Sequence, residues 1–413
     1  MKLFIRKNLL FIFTSIFLFS CASSSNVSSE NLENSATNLV QTPSLPIETI
    51  DHKNDILNDE KTISLLFAGD IMAHSVNFNM KDYNKIWTDV KDVISAADLS
   101  FANLEAPVDS TKKAQNYPNF NMPISYVRAC VESGFDVFSL CNNHSNDQGK
   151  SGISETLNSL SKIRDEQIIN DNLIYFSGLK VKETESFTYN TIYKNGFKII
   201  FLPITEILNR PDSKEFINYV APVKEKRNQF INFCKNLKQK EKCDLFILSV
   251  HANDTEYTRD VTENQEKWYM QLLDCGIDII WANHAHIIKD RKIVIDKNGA
   301  QKIIMYANGN TISGQRTNPN FTEKNVDLER DNTGDGLLYL VELKKSPNKI
   351  QIKKITPIFI TTYINTAWEF VVKKLDDNFI NYLKGVPRKN WADYLEKRKN
   401  LNEKITKDII VWQ

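Results

Sequence analysis

The amino-acid sequence predicts an α/β fold, and three observations carry the prediction. Its 413 residues are 41% apolar, 25% charged and 10% aromatic, a globular profile with enough apolar side chains for a large core. Six apolar, β-branched runs of strand length each stop at a small cluster of polar or metal-ligating residues. Helical segments lie between several of these runs, at 87–97, 124–133, 153–162, 224–240 and 263–275. Such alternation gathers functional loops outside the carboxyl ends of the strands.

Taken in order, the run at 62–68 stops at Gly69-Asp70, with His74 four residues on, and the run at 99–102 stops at Asn103-Leu104-Glu105. The run at 135–141 stops at Asn142-Asn143-His144, 245–250 at His251, 277–282 at Asn283-His284-Ala285-His286, and 303–307 at Asn308-Gly309-Asn310. Five of the six histidines therefore stand at or just past strand ends. A single histidine is more often structural than a ligand, but five on one edge form a constellation. His284 and His286 are its most specific part, since alternate residues beyond a strand point the same way and can present two imidazoles to neighbouring sites. Asp70 and Glu105 add the carboxylates that hard or borderline divalent ions require, and no cysteine is placed as an obvious ligand. The set suits Mn, Fe or Zn, as one ion or as two sharing a carboxylate.

The balance of 52 Lys+Arg against 51 Asp+Glu, a formal +1, leaves no basic field to attract nucleic acid. Lys2, Arg6 and Lys7 followed by an apolar run at 8–19 read as a secretory signal over residues 1–20, too short for a permanent bilayer span. Its end, Leu18-Phe19-Ser20-Cys21, resembles the lipobox of bacterial lipoproteins, which implies a membrane anchor through lipidated Cys21. The plainer alternative is a secretory signal with an incidental cysteine. Residues 21–60, rich in Ser, Asn, Thr and acidic residues, suit a flexible tether, and His52 falls within it. The expected location is the cell envelope, on the extracytoplasmic side of a membrane. The five cysteines after Cys21 are odd in number and without close pairs, so they read as buried thiols.

At the strand-end residues the sequence resembles the CapA family of poly-gamma-glutamate capsule synthesis proteins, whose domain belongs to the calcineurin-like metallophosphatase superfamily. The segments that carry the resemblance, in the family's order, are GDIMAH at 69–74, NLEAP at 103–107, NNHSNDQG at 142–149, SVHANDTEY at 249–257, ANHAH at 282–286 and GN at 309–310. The resemblance implies a metallophosphatase-like four-layer α/β/β/α sandwich over residues 61–365 and a C-terminal helical extension over 366–413. It also implies two divalent metal ions at one edge. Asp70 would bind the first with His286 and His74, and Asn143, His251 and His284 would bind the second. Glu105 stands where the superfamily has its bridging carboxylate. His144 matches the general acid that protonates the leaving group, and Asp147 either orients it or caps the helix that begins near Gly152. Tyr257 and Arg259 are candidate contacts to an anionic substrate, although exposed loops commonly carry such residues.

The chain departs from the family pattern in three places. The stretch His251-Ala252-Asn253-Asp254-Thr255-Glu256-Tyr257 is one residue longer than the usual HWGxEY and lacks its Trp. Ala282-Asn283 replaces a Gly-containing approach to the histidine pair. Glu105 replaces the wider superfamily's Asp, with an arm long enough to hold one metal instead of bridging two. The function the resemblance implies is metal-dependent hydrolysis of the phosphoester type, in capsule or envelope polymer biosynthesis, on a phosphoester or an anionic polymer and beside polymer synthesis or export proteins. Two other readings keep the same ligand set: hydrolysis of an amide of poly-gamma-glutamate, or a non-catalytic subunit whose metals are structural.

Overall fold

Side chains along the parallel strands enter two different cores in alternation, and that alternation sorts the chain into layers. The computed structural model describes residues 61–170, 172–346 and 349–413; the expected signal segment, Cys21 and the tether lie outside them. The strands are β1 (Lys61–Ile71), β2 (Leu99–Leu104), β3 (Val137–Ser139), β4 (Tyr175–Ser177), β5 (Asn190–Lys194), β6 (Phe197–Thr205), β7 (Leu245–His251), β8 (Ile279–Asn283), β9 (Arg291–Ile295), β10 (Gln301–Met305), β11 (Asn310–Ile312), β12 (Asp335–Ser346), β13 (Lys349–Ile364), β14 (Phe370–Lys374) and β15 (Asp408–Trp412). One sheet runs β14-β13-β12-β1-β2-β3-β4, with β11 also pairing β1, and the other runs β15-β9-β10-β8-β7-β6-β5. β1 to β4 are parallel, as are β6, β7, β8 and β10.

Parallel strands covered on both faces carry near-continuous apolar runs. In β1, Ile63, Leu65 and Phe67 share a core with Phe201 of β6, Ile247 of β7 and Trp281 of β8, so they face the opposite sheet. Leu66 and Ala68 face the other way, into a core covered by the helices Ile124–Glu132, Gly149–Ile168, Asp377–Lys384 and Lys389–Ile405. The same period of two sets Ile200, Leu248 and Ile280 of the second sheet against the helices Lys224–Glu241 and Glu263–Asp274. The result is the four-layer α/β/β/α sandwich that the resemblance implies.

The six runs read from the sequence are β1, β2, β3, β7, β8 and β10. The helix expected at 87–97 is two short ones, Asn84–Trp87 and Lys91–Ala96, separated by a turn at residues 88–90. Beyond Ile364, where a helical extension is expected, the chain has the helices Asp377–Lys384 and Lys389–Ile405 and also β14 and β15, one at an edge of each sheet. Cys130, Cys141, Cys234, Cys243 and Cys275 are buried free thiols. No helix among the described residues is long and apolar enough to cross a membrane.

The two sheets are tied together where the strands end. The indole Nε1–H of Trp281 donates to the Ala68 carbonyl at 2.8 Å, within an aromatic cluster with Phe67 and Phe101. At the next residue, Gly69 passes so close to Gly309 that a β-carbon would fall 1.8 Å from the Gly309 carbonyl oxygen, and only glycine fits. Asp70 then lies level with Asn103 of β2 and Asn310 of β11, and His251 level with Asn283 of β8. Candidate ligands from both sheets therefore open onto one edge.

A buried ion cluster anchors the C-terminal helix Lys389–Ile405 to this frame. Asp335, at the start of β12, accepts from Arg316 Nη1 at 2.9 Å, Arg398 Nε at 2.7 Å and Asn402 Nδ2 at 2.8 Å. Burial alone would push its pKa up, but Arg398 and Arg316 outweigh that and hold it below the ordinary carboxylate range. Asp335→Ala leaves both guanidiniums without their carboxylate and should lower the unfolding free energy by about 3–5 kcal/mol, measured by urea denaturation. Because the folded pKa is depressed, this contribution is full above the unfolded carboxylate pKa and is lost as pH falls through the lower folded value. The difference between wild type and variant should accordingly shrink in acid.

Candidate metal centre

All the expected ligands except His74 converge at the shared edge. Asp70 is steadied by Asn103, whose Nδ2 donates to Oδ1 at 2.8 Å, while Oδ2 faces His286 Nδ1 at 3.3 Å. Glu105 Oε1 lies 3.7 Å from His251 Nε2 and 3.8 Å from His286 Nε2. His251 Nε2 in turn lies 2.9 Å from Asn143 Oδ1 and 3.1 Å from His284 Nδ1. Two sets of donor atoms fall within 4.8 Å of one another, Asp70-Glu105-His251 and Glu105-His284-His286, and Glu105 is common to both. The shortest separations set His251 with His284 and Asn143, and Asp70 with His286.

The chemistry of the cluster fits a cation. Both Glu105 oxygens are buried without a hydrogen-bond partner, so the carboxylate has lost water and gained no protein donor. Burial, and then the charge of Asp70, pushes its pKa well above the ordinary range. His251 and His284 shift the opposite way: burial and the neighbouring imidazoles hold His251 well below its usual value and His284 down to about 4. Both rings are thus neutral, the form that ligates metal. At His286 burial is outweighed by Asp70, and the pKa rises. Asn143 Oδ1 and the two facing imidazole nitrogens bring three potential ligand atoms into one small space.

The backbone is bent to bring these groups in. His284 and His286 take positive φ, 104° and 58°, so the pair is not the simple extended alternation expected of residues just past a strand. Each such conformation costs about 1–3 kcal/mol in a non-glycine residue. Ala282 and Asn283 stay within β8, and the bend falls on the ligands themselves.

A cavity of about 570 Å³ opens beside the donors, with His74, Asn143, His144, Asp147, Tyr257 and His286 in its wall. Asp147 Oδ2 faces His144 Nδ1 at 2.7 Å and accepts the Phe120 N–H at 2.8 Å. The helix Gly149–Ile168 starts at Gln148 without a side-chain cap, so Asp147 orients the imidazole and does not cap the helix. His74 belongs to neither donor set. Its Nδ1 accepts the Gly314 N–H at 3.1 Å, which places the ring proton on Nε2 and leaves no nitrogen lone pair for a metal. Arg259 does not line the cavity either: Nη1 donates to the Ile288 carbonyl at 2.8 Å and Nη2 pairs with Asp327 at 3.2 Å. Tyr257 does line it, stacked on His286 with ring centroids 6.0 Å apart. The lengthened loop before Tyr257 is pinned by buried Lys289, which pairs with Asp254 and donates to the Asp260 carbonyl at 2.9 Å.

Sequence reasoning missed Asn209, Arg210, Glu256 and Arg330 in the cavity wall, and gave no role to Asn103 and Asn310 behind the ligands. The two asparagines stand at strand ends, a signal that could have found them. Arg210 and Arg330 lie in no motif.

A two-sheet α/β sandwich whose strand ends collect carboxylates, imidazoles and an amide oxygen defines a protein with a candidate metal centre. The chain belongs to the bacterial capsule synthesis protein family PGA_cap, whose model matches residues 64–315. The capsule biosynthesis protein CapA of Bacillus anthracis is 24% identical over 270 residues, covering 62% of this chain and 61% of that protein. The PGA biosynthesis protein CapA of Bacillus subtilis strain 168 is 25% identical over 266 residues, covering 62% and 64%. The chain thus matches less than two thirds of the length of these relatives. Among solved structures, the calcineurin-like phosphoesterase YfkN of Bacillus subtilis aligns over 82% of this chain and 99% of its own, with 12% identity and a TM-score of 0.39. A hypothetical protein from Thermus thermophilus aligns over 72% and 98%, with 15% identity and a TM-score of 0.40. Both likenesses are remote, and the fold described above stands on its own strand order.

Glu105→Gln tests the centre. Replacing a buried carboxyl group that has no hydrogen-bond partner by a neutral amide of the same shape should leave the metal-free protein about as stable as wild type, while most of the rise in melting temperature conferred by added divalent metal should disappear. Because Glu105 must lose a proton held at raised pKa in order to ligate, metal affinity should fall as pH is lowered. Binding should release protons, read by calorimetry in buffers of different ionisation enthalpy.

Proposed function

We propose that this protein is a metal-dependent hydrolase of the phosphoester type that serves capsule or envelope polymer biosynthesis. The observation that carries the reading is His144. Its Nδ1 is committed to Asp147, and the residue lines the cavity that the metal donors also border. A centre built only to hold metal for stability has no need of an imidazole so oriented.

Mn, Fe or Zn ions, two by family resemblance, would be held by Asp70, Glu105, Asn143, His251, His284 and His286, and when bound they supply Lewis acidity and a water of lowered pKa. The chain's own groups do the rest. Asp147 fixes the tautomer that leaves His144 Nε2 for the substrate, and Phe120 packs edge-on against the ring at 4.7 Å and sets its plane. From there the protonated ring hands its Nε2 proton to the departing oxygen. Asn103 and Asn310 hold Asp70 and His286 in place from behind. The lipobox-like Leu18-Phe19-Ser20-Cys21 supports an anchor through lipidated Cys21, with the domain on the extracytoplasmic face beside polymer synthesis or export proteins.

Asp70→Asn and His284→Ala should lose both bound metal, by elemental analysis, and hydrolysis of bis-p-nitrophenyl phosphate. His144→Ala should keep its metal and lose about 100- to 10,000-fold in kcat. A wild-type protein that takes up no divalent metal on titration overturns the reading, and cleavage of poly-gamma-glutamate without any phosphodiester cleavage overturns the choice of bond. Cys21→Ala should move the protein from the membrane fraction to the soluble one.

A further inference from the structure

The cavity carries groups that proton transfer and metal ligation do not use. Arg330 is one, its guanidinium carbon 5.0 Å from the centroid of the Tyr257 ring, which itself stacks on His286. His74 is another. With Nδ1 taken by Gly314, its remaining polar group is the Nε2–H donor, and an added β-carbon on Gly314 would fall 2.6 Å from the His74 β-carbon, so the ring is tightly packed. Burial, then His286, His144 and Arg330, holds its pKa down at about 3, which keeps the ring neutral. The acidic side chains of the wall are engaged elsewhere. Asp147 faces His144, and Glu256 lies 4.0 Å from His284 Nε2.

Arg330 is also well placed by what lies behind it. Its short helix, Glu329–Asn332, is gripped from the C-terminal helix, with Tyr394 Oη–H donating to Asp331 Oδ1 at 2.6 Å and Arg398 Nη2 to Asn332 Oδ1 at 2.8 Å. Buried Arg316 adds a bond from Nη1 to the Asp331 carbonyl at 3.2 Å. Arg330 lies beyond the residues 64–315 matched by the family model, so membership of the family does not supply it.

We propose that Arg330 and His74, with Tyr257 as the platform between Arg330 and His286, form an oxyanion subsite beside the metal centre, so that the substrate carries a second anionic group, carboxylate or phosphate, besides the one that reacts. This rests on the hydrolytic reading for the place of the reacting group. Charge-assisted bonds from a guanidinium favour oxyanions, and Arg330 is exposed on the cavity wall over the Tyr257 ring, where an oxyanion can reach it.

The test is calorimetric titration of the metal-loaded full chain with three non-hydrolysable probes: phenylphosphonate, 4-carboxyphenylphosphonate and 1,4-phenylenediphosphonate. Wild type should bind at least one of the doubly anionic probes about tenfold more tightly than phenylphosphonate, and the tighter of the two names the second group as carboxylate or phosphate. Arg330→Gln should reduce that preference to within about twofold with metal content unchanged. His74→Gln should reduce it in part, again with metal content unchanged, which a ligand could not do; if that variant does not fold, exposed Arg330 carries the test. Equal binding of all three probes by metal-loaded wild type overturns the subsite and leaves the hydrolytic reading standing. Loss of metal in folded His74→Gln overturns the role given to His74, and absence of metal uptake by wild type overturns the hydrolytic reading and the subsite with it.

Discussion

Glu105 is buried with neither carboxylate oxygen hydrogen-bonded, and the surrounding edge is intelligible as an answer to that constraint. Desolvating an unpaired carboxylate costs several kcal/mol, and here the polypeptide offers it no lysine or arginine. Its near neighbours are the imidazoles of His251 and His286, with Asp70 adding a second negative charge. Proton uptake at its raised pKa neutralises it in the metal-free protein, and a cation from outside the chain would take that proton's place. His251 and His284 keep their lone pairs for it by being held neutral, and Asn103 and Asn310 keep Asp70 and His286 from turning away.

The strain in the histidine turn is carried by what is packed around it. Trp281, locked between the sheets by its bond to Ala68, fixes the approach, and the Tyr257 N–H donates to the Ala285 carbonyl at 3.0 Å between the two ligands. Asp254 and Lys289 close the loop that holds Tyr257. The turn bearing His284 and His286 and the loop bearing Glu256 and Tyr257 therefore move as one piece, which couples the wall of the cavity to the position of the metal donors.

The layers and most of the ligand set were legible because the relevant strands end on the residue types that ligate, as β1, β2, β3, β7, β8 and β10 do. β6 and the pair β12–β13 escaped notice although each is paired on both sides within its sheet, since neither ends on such a cluster. His74 looked like a ligand because it follows Asp70 closely; what decides otherwise is a backbone N–H from Gly314, 240 residues further along. Arg259 looked like a substrate contact until Asp327 claimed its guanidinium. Asp147 was ambiguous because capping and orienting need the same side chain a fraction of a turn apart. For His74 and Arg259 the deciding partner is distant in sequence, and local pattern carries no trace of it; for Asp147 it is His144, three residues back.

β1 lies between β2 and β12 and also receives β11, so the strand that begins the described fold is flanked on one side by residues beyond Asp335. Pairing across such sequence separation is slow, and the first sheet cannot close until most of the chain has been synthesised. The ligands come from both sheets and approach one another only after the sheets have stacked. A metal held by them would therefore be captured late in assembly, on a fold already formed, unlike the small domains in which the ion nucleates folding.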